Sequence, residues 1–121
     1  MNVTYPDFTE LTEFQHTNGR PHLVAHFTLA PDCLYLQGHF PEAPLLPGVT
    51  QLDWAIQLAA DHWQTPRTVQ QIEVLKFNDM ILPKANVTLS LEWKRADCVV
   101  FRYHHNDQAY SSGRLIFTEA N

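Results

Sequence analysis

The stretch NVTLSLEW alternates strictly, placing Val87, Leu89, Leu91 and Trp93 on one face. That period of two predicts a strand with one buried face over 86–95. HLVAHFTLA (22–30) alternates more loosely and also reads as a strand, ended by Pro31-Asp32. CLYLQ (33–37) predicts a short second strand. QQIEVLKFN (70–78), CVVFRYHH (98–105) and AYSSGRLIFTE (109–119) predict three more. Ala96-Asp97 and Asn106-Asp107 supply tight turns, so the last four strands are expected to meander as hairpins. Residues 1–20 are polar and read as irregular, with a turn at Asn18-Gly19.

One segment has a different period. From Gly48 to Trp63 the apolar residues fall at Val49, Leu52, Ile56, Ala59, Ala60 and Trp63, the recurrence of one helix face. A lone amphipathic helix must bury its stripe on something, and the only partner here is the sheet. The expected fold is therefore α+β: about six antiparallel strands wrapped around one long central helix, as a single domain over 1–121.

Composition narrows the classes. With 121 residues, 45% of them hydrophobic, the chain has material for one core and does not read as disordered. Its net charge of -5 and thinly spread basic residues, with Lys94-Arg95 the one adjacent pair, argue against nucleic acid. No apolar run reaches the ~18 residues that a membrane span needs. The opening MNVTYPDFTE has neither the basic nor the apolar region of a secretory signal. Cys33 and Cys98 are too few for a disulfide framework and read as buried thiols, although one bridge stays open. The expectation is a cytoplasmic protein.

The chemistry concentrates in GHFPEAPLLPGVTQLDWAIQLAADHW, Gly38 to Trp63. Asp53 falls in or beside the apolar stripe, and Gln57 is one turn later on the same side. A buried carboxylate is costly unless it is paired, hydrogen-bonded or protonated. Asp53 is either a stripe-edge residue that reaches solvent or favours the helix start, or an acid in a dry pocket, where a carboxyl keeps its proton to near neutrality. Pro47 and Gly48 open the helix, leaving the Gly48 and Val49 N–H groups without intrahelical acceptors at the positive end of the dipole. Such donors can hold a carbonyl oxygen that gains negative charge. Pro41, Pro44 and Pro47 recur at the three-residue turn of polyproline II. They read as stiffening the loop that holds His39, or less simply as a peptide ligand for an SH3-type domain. His104-His105 could suggest a metal, but neighbours on a strand point to opposite faces and no set has ligand spacing. No metal is expected.

Gly38-His39-Phe40-Pro41, Pro44, Pro47-Gly48-Val49, Leu52-Asp53 and Gln57 together resemble the motif of the 3-hydroxyacyl-acyl carrier protein dehydratases, a hot-dog family. That motif reads G-H-F-P-x-x-P-x-x-P-G with an acid fourteen positions after the histidine, as His39 and Asp53 are here. Asp rather than Glu, and the short length, are most similar to the dehydratases of aryl-polyene pathways. Glu42 stands where the family often has glycine.

The resemblance implies that His39 removes the C2 proton of a (3R)-3-hydroxyacyl thioester. It implies that Asp53 protonates the departing C3 hydroxyl, Gly48 N–H polarises the thioester carbonyl, and Gln57 orients Asp53. Val49 and Phe40 would contact substrate. It further implies no cofactor of the protein's own, since phosphopantetheine arrives on the carrier protein. The expected partners are acyl carrier protein and a second hot-dog subunit, identical or related, joined edge to edge. Arg67, Lys84, Lys94 and Arg95 are candidates for carrier docking. Trp54, Ile56, Phe77 and Phe117 are candidates for lining an acyl tunnel, with ordinary core packing the simpler reading of each. The competing functions are a hot-dog thioesterase and a non-catalytic acyl-binding subunit.

Overall fold

The computed structural model describes residues 5–15, 19–30 and 45–117. Seven elements follow in order: β1 (Thr9–Gln15), β2 (Pro21–Thr28), α1 (Gly48–Trp63), β3 (Val69–Phe77), β4 (Asn86–Arg95), β5 (Cys98–His105) and β6 (Gln108–Phe117). All strands join one antiparallel sheet in the order β1-β2-β4-β5-β6-β3, and α1 lies on its inner face. This is the hot-dog architecture.

The inner face follows from the alternation. Register places Leu23, Leu91, Phe101 and Gly113 in one row across four strands. Ala25, Leu89, Tyr103 and Ser111 form the next row. Gly113 is small for a reason: a Cβ there would stand 2.8 Å from Phe101 Cε2. Against these rows α1 buries Gln51, Trp54, Ala55, Leu58, Ala59 and Trp63. Trp54 meets Phe27 edge to face at 5.8 Å, and Trp63 stacks on Trp93. The helix ends at Gln64, which turns left-handed (φ 56°) and donates its N–H to the Ala60 carbonyl.

Three expectations change. The segment read as irregular contains β1, which pairs with β2. Every residue of β1 is exposed, so burial imprinted no alternation on TELTEFQ; the pairing, not the pattern, makes it a strand. The strand over 70–78 does not form a hairpin with β4. It crosses to the far edge and pairs with β6. The connection is fixed by the Asn78 and Asp79 N–H groups, both donating to the Tyr110 carbonyl. Finally, the helix is rolled from its expected face: Val49 is 74% exposed, and Leu52 and Ile56 are only half-buried. The expected strand over 33–37 lies outside the described residues. The turns at 96–97 and 106–107 form as expected.

The outer edge of β3 has no strand partner among the described residues. The strand carries a bulge between Glu73 and Lys76, where Val74 adopts a φ of 52°. Val74, Leu75 and Phe77 expose apolar surface along this edge, continued by Met80 and Leu82.

Candidate active site

The start of α1 is built by the chain just before it. Leu46 is buried and donates its N–H to the Ile81 carbonyl at 2.9 Å. Pro47 is extended (φ -61°, ψ 148°) and its carbonyl accepts the first helical bonds from Thr50 and Gln51. Gly48 and Val49 are the first two helical residues, so their amides have no intrahelical acceptor. No side chain caps this end and no acid sits in the first turn, leaving the positive end of the dipole uncompensated by the helix itself.

A cleft of about 210 Å³ opens here, lined by Leu45, Leu46, Gly48, Gln51, Phe77, Asp79 and Met80. Phe77 reaches over from β3 and lays its ring on Gly48. A Cβ at Gly48 would stand 2.6 Å from Phe77 Cζ. Glycine here lets the ring approach this closely, and the ring forms an apolar wall beside the Gly48 and Val49 amides.

Asp53 is the sixth helical residue, beyond the first turn, where the dipole's favour for an acid has faded. It is exposed on the half-open apolar strip of Val49, Leu52 and Ile56. Its Oδ2 accepts a hydrogen bond from Gln57 Nε2 at 2.5 Å, fixing the carboxyl along the helix. Gln57 thus orients Asp53, and no described residue of the chain encloses it. The Asp53 charge is nevertheless felt inside. Burial, then Asp61, then more weakly Asp53 push the Tyr5 phenol up to about 12, against Arg67. Burial chiefly, with Tyr5 and Asp53, raises Tyr103 as well. Both phenols remain donors at neutral pH.

Of the expected site residues, Gly48 and Val49 are the first two residues of α1, and Asp53 and Gln57 are hydrogen-bonded to each other one turn apart further along it. His39 and Phe40 lie outside the described residues, as do Pro41, Pro44 and Cys33. Cys98 is a free, buried thiol. Among the lining candidates, Trp54 and Phe117 are core residues, Ile56 packs half-buried against the core, and Phe77 is 51% exposed at the cleft. Of the docking candidates, Arg67 is bound to Asp61 at 2.7 Å and Arg95 to Asp97 at 2.8 Å. No three His, Cys, Asp or Glu side chains converge among the described residues. No helix among them is long and apolar enough to cross a membrane.

Sequence reasoning passed over Gln51, a buried amide at the base of the cleft. The signal was available: Gln51, Trp54, Ala55 and Leu58 keep helical spacing, and a polar residue in that series is the anomaly.

Comparison with known proteins gives the family. Residues 15–114 match the model of the ApeI-like dehydratases, described as ApeI dehydratase. Among solved structures, an uncharacterised protein from Erwinia carotovora subsp. atroseptica is 31% identical, with a TM-score of 0.82, covering 95% of this chain and 97% of its own. A chain of the dehydratase heterocomplex ApeI:P from Xenorhabdus doucetiae is 29% identical, with a TM-score of 0.70, covering 89% of this chain and 97% of its own. A dehydratase domain of a trans-AT polyketide synthase from Brevibacillus brevis shares the fold at 17% identity and a TM-score of 0.50, over all of this chain and 45% of that one. The chain belongs to the ApeI-like dehydratase family and is a dehydratase of the hot-dog fold.

Proposed function

We propose that this dehydratase eliminates water from (3R)-3-hydroxyacyl thioesters carried on acyl carrier protein, giving trans-2-enoyl thioesters, in an aryl-polyene-type pathway. One observation carries the reading. A carboxyl held by Gln57 stands one turn beyond bare helix-start amides, on an apolar strip, fourteen residues after the histidine of Gly38-His39-Phe40-Pro41.

In this reading the thioester carbonyl lies against the Gly48 N–H. His39 takes the C2 proton, and the electron pair moves into the carbonyl as an enolate whose oxygen the amide stabilises. As the enolate collapses, the C3–O bond breaks and Asp53 delivers the proton that turns hydroxide into water. Hydroxide alone leaves poorly, so a positioned acid is the feature that separates elimination from simple binding. Phe77 and Met80 would offer apolar surface to the acyl chain.

The reading needs a second subunit. Asp53 is exposed in the single chain and must lose water contact to serve as an acid. The surface around it, on Val49, Leu52 and Ile56, is apolar, as a subunit contact requires, and β3 offers an apolar edge that has no strand partner among the described residues. The Xenorhabdus relative is a heterocomplex. By analogy the partner here is a related hot-dog subunit, with an identical copy as the alternative, and His39 and Asp53 of one site come from different subunits. The activity needs no cofactor beyond the carrier's phosphopantetheine.

Mass spectrometry of carrier protein loaded with 3-hydroxyacyl chains, after exposure to the assembled protein, tests this. A loss of one water with the thioester intact supports it; release of free carrier thiol instead would establish the thioesterase. Asp53→Asn, exposed and isosteric, should fold normally and lose at least about a hundredfold in turnover, the lower end of the scale of general acid catalysis. Turnover kept within threefold would remove Asp53 from the mechanism.

A further inference from the structure

The polar cluster beneath the first turn of α1 has no part in the roles above. Gln51 is only 3% exposed. Its Nε2 donates to the Leu46 carbonyl at 3.1 Å, and its Oε1 accepts from Ser111 Oγ at 2.6 Å. Its backbone carbonyl accepts from Tyr103 OH at 2.6 Å. Ser111 and Tyr103 face each other across β6 and β5, both fully buried. The sheet therefore holds Gln51 by its side chain and by its backbone.

The consequence falls on Leu46, two residues before Gly48. Leu46 is bound at both of its peptide groups: its N–H to Ile81 of the β3–β4 connection, its carbonyl to Gln51 of the helix. Pro47 comes next, its φ locked by the ring. The direction of the Gly48 N–H is then set by a short chain with little freedom left. Core packing does not require this. An apolar side chain of similar shape suits the stripe beside Trp54 and Ala55, at the cost in stability of leaving the Leu46 carbonyl and Ser111 Oγ unpaired. A donor at a helix start, by contrast, acts only if it points where charge develops.

We propose that Gln51 is a positioning residue for the elimination: its amide clamps the Leu46 carbonyl and thereby aims the Gly48 N–H at the thioester oxygen. The assignment rests on the dehydratase reading of the site.

The test uses the full chain, with its partner subunit where it isolates with one, and a 3-hydroxyacyl N-acetylcysteamine thioester as the probe. Gln51→Met keeps the length and volume and removes the donor. Val99→Ala, a core change at the opposite end of the sheet, serves as the stability control. Gln51→Met should lower kcat by about 10- to 100-fold, the scale of ångström misplacement, with KM within twofold. Hydrogen exchange at the Leu46 amide should accelerate about tenfold, the junction opening locally rather than globally. Val99→Ala should lose melting temperature and keep kcat. Gln51→Leu is read in the same way if Gln51→Met does not fold. Wild-type kcat in the Gln51 variants, unchanged Leu46 exchange, or failure of both variants to fold would overturn the assignment. A wild-type protein inactive on the thioester would instead sink the dehydratase reading, with the exchange result still deciding the clamp.

Discussion

Gly48→Ala separates what the helix start does for stability from what it does for chemistry. The added methyl would stand 2.6, 3.0 and 3.3 Å from three carbons of the Phe77 ring. Carbon contacts settle near 3.5–4.0 Å, so the ring tip must retreat by about 1 Å. Retreat is cheap, because Phe77 is half-exposed at the end of β3 and its ring can swing toward solvent. Overpacking in a closed core costs about 1–3 kcal/mol, and the low end applies here. Replacing glycine in a compatible helical conformation returns about 0.4–1 kcal/mol through the unfolded chain. The two nearly cancel, so the net change should stay within about 1 kcal/mol, or roughly 4 °C in melting temperature. Turnover should respond very differently. The methyl fills the space beside the bare amide and displaces the cleft's aromatic wall. Alanine keeps the N–H, so the loss is one of access; blocking such a donor as fully as removing it lowers kcat by about 10²–10³, equal to about 2.7–4 kcal/mol. Thermal denaturation and steady-state kinetics on a 3-hydroxyacyl thioester measure the pair. Adding Phe77→Ala should relieve the clash, showing as a coupling of about 1 kcal/mol in a double-mutant cycle for stability. The reasoning is refuted if Gly48→Ala keeps kcat within threefold, or if its melting temperature collapses while Phe77→Ala brings no relief.

Two further outcomes follow from buried polar groups. Tyr103→Phe removes the hydrogen bond to the Gln51 carbonyl, which keeps its place in the helix ladder. Denaturant unfolding should show a loss of about 1 kcal/mol, and a change below a few tenths would mean the bond contributes nothing net. His104 is held below the usual histidine range by burial first and by the Arg102 guanidinium next, with His26 and His105 also opposing its charge. The folded state therefore favours neutral His104, whose ring bonds Ser90 on β4. Its stabilising contribution is complete above the unfolded value near ~6.5 and is lost as pH falls through the lower folded value. Melting temperature measured downward from pH 7.5 should fall less steeply in His104→Gln than in the native protein; equal slopes would exclude this histidine as a source of acid sensitivity.

The sequence determined the elements wherever burial repeats with the period of the backbone. NVTLSLEW had to be a strand with one face inward, because Val87, Leu89 and Leu91 have nowhere else to go once Trp54 and Leu58 of the helix cover them. The motif around Gly48 and Asp53 was legible for another reason: proline, glycine and an acid at fixed spacing interrupt the periodic background, so they stand out from it. Where burial is absent, so was the signal. TELTEFQ pairs through its backbone at an exposed edge, and backbone hydrogen bonds leave no mark on side-chain pattern. The placement of β3 beside β6 was also invisible, since strand order depends on how the connection through Asn78 and Asp79 docks on Tyr110, a contact distant in sequence. The roll of α1 was settled the same way. Its apolar residues occupy more than one face, and the packing of Trp54, Ala55, Leu58 and Trp63 on the sheet, not the periodicity, selects the one that turns Val49 and Asp53 outward. One-dimensional pattern records how deep each residue lies; it does not record which neighbour lies there.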